Sequence, residues 1–425
     1  MTEAPTAKVP DVLSYNPEVA RKSLPFDPFD PDFHADPFPF YRRIRAESGP
    51  AFRTEGGIVT VLGFEEASAV MKDSRFGWGV NPMIADQFVE NPVSGESGRI
   101  LMFMDPPDHT RIRGLVSKAF TPKMITDLRP VAARYAEELL AKALAENPDG
   151  RIDLQETLSR PLPARVLSEM MDIPERYHPL FFANTMESGR GLDPGFTLTD
   201  VQKAARNAAR DVFIDAGLEM AAARRVTPGD DLVSELVRAE DAGERLTEWE
   251  LAMLLMNLLA AGFGASAALI GNEVYHLLRH PEQLAWLREH PERVPAAVEE
   301  LLRYDSTLAM VSRTALEDAD VAGHPVRAGE YVLVLMAAAN RDPDAFTDPD
   351  RLDITRPLTR NLGFGHGIHF CVAAPVARLI AQEALTALIK YEVRLDERAP
   401  VERWPGISLR VIGKLPVVLG PVVRG

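Results

Sequence analysis

The chain has almost no cysteine: Cys371 is the only one in 425 residues. An intramolecular disulfide is excluded, and so is an iron–sulfur cluster, which takes four ligands. Basic residues are the scarcer charge, 47 Lys and Arg against 62 Asp and Glu, for a net charge of -15. That balance opposes broad contact with nucleic acid or an anionic membrane. Linkers rich in Gly or Ser, repeats and low-complexity tracts are missing, and the 34 prolines are dispersed. One compact domain over 1–425 is expected, with about the first 25 residues a poorly ordered tail. The opening "MTEAPTAKVPDVLSYNPEVA" has no apolar core of signal-peptide length, so the expected compartment is the cytoplasm.

Long apolar runs are missing save one. Leu251 to Ile270 carries no charge over twenty residues, a length that spans a bilayer. The run continues into "GNEVYHLLRHPEQ", where Val274, Leu277 and Leu278 keep helical spacing past any membrane boundary. A helix apolar on all sides also suits the centre of a large soluble protein, and that reading is preferred. Thr247 and Glu250 form a capping box before it. The helix is expected over about 248–280, on the order of 50 Å at 1.5 Å per residue.

Around this helix the pattern is mainly α with a smaller β region. The first hundred residues read as short strands and turns, with "GGIVTVLGF" a strand leading to a helix near Glu65 to Met71. From 125 to 302 the spacing is mostly helical, and "TPGDD" is a turn. After Ser306 come strand-like pieces, then a helix in "APVARLIAQEALTALIKY", then terminal strands.

The lone cysteine stands in "LGFGHGIHFCVAAPVARL". Gly363, Gly365 and Gly367 permit a tight turn and close approach of a flat ligand, and Pro375 suits a first helical turn. Free N–H groups at a helix start stabilise a thiolate, which is a good haem iron ligand. A small buried hydrophobe is the plain alternative for a single cysteine.

Phe364, Gly365, Gly367, His369 and Cys371 match the haem-binding signature of the cytochrome P450 family, which this chain resembles from about residue 36 onward. Ala373 departs from it, standing where the family has glycine. The resemblance implies haem b, its iron held by Cys371, between the long helix and the helix after the Cys loop. It also implies that His109, Arg113, Arg313 and His369 meet the haem propionates. Glu300 and Arg303 match the family's Glu-x-x-Arg pair, and Arg356 would complete that network. Taken alone, such an i,i+3 pair is more often a solvated surface bridge.

The family's distal pattern, Ala-Gly-x-Asp/Glu-Thr-Thr/Ser, reads here Ala261, Gly262, Phe263, Gly264, Ala265, Ser266. Gly262 stands where the family lets the backbone approach the haem. Glycine and alanine replace the acid and alcohol that manage protons for dioxygen, and neither has a side-chain proton to give. Three routes remain. The substrate supplies a hydroxyl, as in macrolide-hydroxylating relatives with the pattern Ala-Gly-Phe-Glu-Ala-Ser; Ser266 takes part; or peroxide or oxidative coupling is used.

The implied activity is a monooxygenase acting on a small organic substrate, a secondary metabolite. Its electrons come from NAD(P)H through a ferredoxin and ferredoxin reductase that dock near Arg111, Arg113 and Lys118. Substrate contacts are expected from Met83, Ala261, Phe263, Leu308, Met310, Val311, Ile407 and Ser408, in a monomer. A non-catalytic ligand-binding or helper protein is the alternative of a different class.

Overall fold

The computed structural model describes residues 15–79, 89–91, 94–95, 97–239, 245–357 and 360–423. The long helix, Glu248–Arg279, forms its axis. The Thr247 hydroxyl accepts the Glu250 N–H at 3.1 Å, and the Glu250 carboxylate accepts the Thr247 N–H at 2.9 Å. The helix is long and apolar enough to cross a membrane, yet Leu255, Leu259, Ile270 and Val274 are fully enclosed by protein. Helices Asp200–Val226, His178–Gly189, Pro161–Met171, Val294–Tyr304 and Ala374–Leu388 pack around it. Burial of each Leu, Ile or Val contributes roughly 1.5–3 kcal/mol, and neighbours on every side explain why no face of the helix is polar.

A five-stranded sheet lies apart from this helical layer. Its order is Ala51–Arg53, Val59–Val61, Tyr331–Val334, Val311–Ala315 and Phe76–Gly77. Only the pairing of Val59–Val61 with Tyr331–Val334 is parallel, with Val59 opposite Val332. A three-stranded sheet joins Tyr391–Leu395, Pro416–Val422 and Arg151–Asp153.

The N-terminal region differs from expectation in two ways. The segment from residue 15 is tied down: helix Pro17–Ser23 buries Ala20 and Ser23, and the Asn16 N–H donates to the Phe196 carbonyl at 2.9 Å. Among the described residues up to 50 there are helices, not strands, at Pro17–Ser23, Pro31–Ala35 and Phe38–Ser48. Each begins with an Asx side chain that accepts a first-turn N–H, from Asn16, Asp30 and Asp36 respectively. Proline in the first turn, which has no N–H to satisfy, completes the start signal.

Glu300 and Arg303 form no surface bridge. Arg303 is wholly buried, and it donates to both Glu300 carboxylate oxygens at 2.7 and 2.9 Å. It also donates to the carbonyls of Asn340 and Pro349, each at 2.9 Å. Arg356 donates to Glu300 at 3.1 Å and to the Thr347 and Asp348 carbonyls at 2.7 Å. This network pins the segment 340–356 that leads into the Cys loop.

A second buried network centres on Asp305, which accepts from Arg410 at 2.5 and 3.0 Å and from His276 at 2.8 Å. Burial alone would raise the Asp305 carboxyl, but Arg410 and His276 reverse that and hold it well below its ordinary range. Burial pushes His276 down, the Asp305 bond opposing. Both shifts have the same sign for stability. The depressed Asp305 contributes stability above its unfolded value near 3.8, lost as pH falls through the folded value. Neutral His276 adds a penalty as pH drops below 6.5, where the unfolded chain takes up the proton. The contribution of His276 to the urea midpoint is therefore expected to fall as pH is lowered from 7.5 to 5, read as the difference between the unaltered protein and His276→Gln; a difference that does not change with pH would reject the assignment.

Candidate active site

The Cys loop is built by its own turns. Gly365 and Gly367 have φ of +75° and +68°, the left-handed region that L side chains rarely adopt. A Cβ on Gly367 would stand 2.2 Å from the Met71 carbonyl oxygen. The Cys371 N–H donates to the Phe364 carbonyl at 3.0 Å, and the Ala374 N–H donates to the Cys371 carbonyl at 3.3 Å, opening helix Ala374–Leu388. Ala373 has φ −89°, a conformation any residue adopts, so alanine in place of the family's glycine adds no backbone strain. Burial pushes the Cys371 thiol up, while the N–H groups of Ala373 and Ala374 and the guanidiniums of Arg113 and Arg378 pull it down.

A cavity of about 360 Å³ opens from this loop to the middle of the long helix. One wall is cationic. Arg313, on strand Val311–Ala315, is buried over the Trp78 ring at 4.7 Å; burial pushes it down to about 10, with Asp105 opposing. His109 and Arg113 come from one face of helix Asp108–Ala119, and Arg113 donates to the Phe370 carbonyl at 2.7 Å. The His369 ring stands 4.4 Å from that of His109. Burial, then Arg313, His109 and Arg113, push His369 down to about 3. The Nε2 atoms of His109 and His369 are buried without a hydrogen-bond partner. Four nitrogen-rich side chains thus converge on one place, where the nearby carboxylate, Asp105, is already engaged by the Trp78 and Gly79 N–H groups at 2.9 and 2.7 Å. This donor set fits the two propionates of a haem whose iron takes Cys371 on the adjacent wall.

The opposite wall is the helix at Ala261, Gly262, Gly264, Ala265 and Ser266, all of which line the cavity. The glycines have a packing cause. A Cβ on Gly264 would lie 2.9 Å from Thr185 Cγ2, and one on Gly262 would lie 3.0 Å from Leu167 Cδ1. Helices His178–Gly189 and Pro161–Met171 approach the long helix closely at these positions. Thr185, which lines the cavity and donates to the Phe181 carbonyl at 2.6 Å, occupies the direction in which an acid at 264 would start. Gly262 lines the cavity as well, while its side-chain direction meets Leu167.

Of the expected substrate contacts, Ala261, Leu308 and Val311 line the cavity. Four others point elsewhere. Phe263, 200° around the helix from Ala261 at 100° per residue, packs edge-on against Phe181 at 5.7 Å. Met310 and Ile407 belong to the core beside the five-stranded sheet; Met310 alternates with Val311, so the two face opposite ways. Ser408 donates to the Leu192 carbonyl at 2.8 Å, and its N–H donates to Asp193 at 2.9 Å. Met83 lies outside the described residues. Sequence reasoning missed Arg206, Arg210, Trp404 and Leu409, which also line the cavity. The arginines read as the polar side of a helix and its approach, and only tertiary packing turns them inward.

Comparison with known proteins is consistent over nearly the whole chain. The family model "Cytochrome P450" matches residues 203–410. The chain is 39% identical over 405 residues to cytochrome P450 monooxygenase PikC of Streptomyces venezuelae, covering 93% of this chain and 90% of that protein. It is 36% identical over 393 residues to 6-deoxyerythronolide B hydroxylase of Saccharopolyspora erythraea, covering 89% and 91%. The solved structure of the bacillaene polyketide synthase cytochrome P450 PksS of Bacillus subtilis 168 superposes with a TM-score of 0.81 at 33% identity, covering 93% of this chain and 100% of that one.

Removing one charge-assisted partner of a carboxylate costs about 1.5–3 kcal/mol. Arg313→Gln is therefore expected to speed haem loss to an acceptor such as apomyoglobin by roughly 10- to 100-fold. A transfer rate equal to that of the unaltered protein would remove Arg313 from the propionate cradle.

Proposed function

The chain belongs to the cytochrome P450 family, and we propose that it inserts one oxygen atom of dioxygen into an apolar secondary metabolite carrying its own hydroxyl group. It is an oxidoreductase that uses haem b, with electrons reaching it from NAD(P)H through separate proteins. When bound, the haem supplies the activation of dioxygen. In this proposal Cys371 holds the iron, and Arg113, Arg313, His109 and His369 hold the propionates.

The observation that carries the reading is the pairing of two walls: the cationic cradle beside Cys371, and a helix face that has no acid at 264 and no alcohol at 265. The cradle supports an enzyme over a helper protein, because a ligand binder has no use for a cysteine placed beside such a group of cationic side chains. The apolar remainder of the cavity, with Ile100, Leu101, Met102, Leu308 and Val311, supports a hydrophobic substrate. So do the relatives named for macrolides, 6-deoxyerythronolide B hydroxylase and mycinamicin IV hydroxylase/epoxidase. A substrate hydroxyl seated over Ala265 would order the water that the missing side chains do not hold.

Delivery of electrons would use the surface outside Cys371. Ile368 and Phe370 are large apolar residues at 51% and 39% exposure, and exposed Lys118 stands on the neighbouring helix Asp108–Ala119. Such a patch, apolar with a basic rim, suits an acidic ferredoxin. A cytoplasmic location accords with such a partner.

Two measurements test the proposal. The reduced carbon monoxide difference spectrum should show the thiolate-type band and lose it in Cys371→Ser; its absence from the unaltered protein would end the enzyme reading. Coupling of NAD(P)H oxidation to product should collapse with a substrate analogue lacking the hydroxyl, and unchanged coupling would dismiss substrate assistance. The vacated acid position gives a further check. Because Thr185 blocks it, Gly264→Glu with Ala265→Thr should improve coupling with that analogue only when Thr185→Ala is added. Equal improvement without the Thr185 change would refute the packing argument.

A further inference from the structure

Seven residues beyond Ser266 the long helix carries Glu273, 1% exposed, and neither of its carboxyl oxygens has a hydrogen-bond partner. A buried polar group left without a partner costs about 1–3 kcal/mol, and an ionised one costs far more. Burial first, then the nearby Glu299, push the Glu273 carboxyl well above its ordinary value, so the fold favours its protonated form. In structural terms it satisfies nothing and clamps nothing, unlike Glu300 on the helix beside it.

Its position relates it to the cavity. Seven residues turn a helix by about 700°, so Ser266 and Glu273 lie within about 20° of one face and about 10.5 Å apart along the axis. Long helical side chains lean toward the N-terminus, which brings the Glu273 carboxyl back toward Ser266, a residue lining the cavity. Leu269, about one helical turn before Glu273, also lines the cavity, so the proposed path has about one turn of the helix to cross by bridging water. On its other side Glu273 faces Glu299 of helix Val294–Tyr304. Glu299 accepts from Arg378 at 2.5 and 3.1 Å and from Asn361 at 3.0 Å. Side-chain exposure rises along this line, from 14% at Glu299 to 28% at Arg378, giving the buried acid a short way to solvent.

We propose that Glu273 is the proton reservoir for the cavity, feeding it through Ser266 in place of the acid and alcohol missing at 264 and 265. This rests on the reading that the chain reduces dioxygen. Each oxygen atom placed in the substrate consumes two electrons from NAD(P)H and two protons, and the second oxygen atom leaves as water. Glu273 gives its carboxyl proton to a bridging water, the water protonates the Ser266 hydroxyl oxygen, and Ser266 releases its own proton to the cavity. The carboxylate left behind is reprotonated from solvent past Glu299 and Arg378. The substrate hydroxyl orders the last water, and Glu273 refills it. Glu273 is thus a positioning and supply residue that acts through Ser266.

The test uses the haem-loaded full chain with its reductase system. Glu273→Gln keeps shape and hydrogen-bonding capacity without an acidic proton, and it should lower product formed per NAD(P)H by at least about tenfold, with hydrogen peroxide rising in its place. Glu273→Asp should recover part of the coupling. Ser266→Ala should match the loss, and the double variant should be no worse than either single one, since both interrupt one path. Independently of turnover, the infrared spectrum of the unaltered protein at pH 7 should contain a protonated carboxyl band that Glu273→Gln removes. Unfolding gives a separate readout: a carboxyl raised by the fold loses stability as pH climbs above 4.5, a contribution opposite in sign to that of His276, so the stability advantage of the unaltered protein over Glu273→Gln should shrink as pH rises. An ionised Glu273 at pH 7 overturns the relay even if no variant folds. Full coupling in Glu273→Gln, with the thiolate-type carbon monoxide band intact, overturns the relay and leaves the proposed function standing. Loss of that band from the unaltered protein overturns both.

Discussion

The position of Cys371 depends on a buried charge that has no freedom. Arg303 has no exposed side-chain surface, and its guanidinium is tolerable only because Glu300 and two backbone carbonyls take its protons. Removing one member of such a group strands the other, at a cost of about 3–5 kcal/mol. The carbonyl acceptors belong to the segment that returns toward the Cys loop, so satisfying the arginine also fixes that segment. Asn340, whose carbonyl Arg303 holds, uses its side-chain oxygen to accept the Leu362 N–H at 2.8 Å. Gly363 follows so close to Leu302 that a Cβ would stand 2.5 Å from it. Helix, return segment and cysteine loop are therefore one packed unit.

A second constraint acts on the other wall. The long helix has neighbours on all sides, and where helices His178–Gly189 and Pro161–Met171 come closest it has glycine. Close approach and an acidic side chain at 264 exclude each other, because Thr185 stands in the way. The loss of the family's proton group is thus coupled to the packing of a neighbouring helix, and reversing it takes a change on both. This accounts for a glycine that costs the helix about 1 kcal/mol relative to alanine.

How much of this was legible in the sequence follows from the range of each interaction. The Cys loop was readable because its demands are local: left-handed turns at Gly365 and Gly367, a proline in the next helix, and a cysteine at a fixed offset. The long helix was readable from its capping box and uninterrupted apolar run. Glu300 and Arg303 were readable only by resemblance, since an i,i+3 pair looks the same whether solvated or buried. Phe263 and Met310 were misassigned because their neighbours in sequence face the cavity while they, a helical or strand step away, do not. The N-terminal helices were legible in Asn16-Pro17 and Asp30-Pro31, where an Asx cap followed by proline outweighs the strand-like texture around them. Arg206 and Arg210 had no local signal at all.

The cationic wall of the cavity and the buried acid of the long helix solve opposite electrostatic problems. A carboxyl escapes the cost of burial by keeping its proton, so Glu273 can remain in the core as a neutral acid. An arginine has no comparable escape. Arg313 stays charged even when burial pulls it down to about 10, and Arg113 beside it adds to the demand for negative charge. His369 avoids the problem by giving up its proton altogether, which is what a value near 3 means. The cationic wall is therefore completed by an anion, and whatever binds there stabilises the folded chain over the unfolded one by mass action. A cofactor that supplied two carboxylates to that wall would be part of what makes this arrangement of buried charge stable, and Glu273 on the long helix needs no such partner.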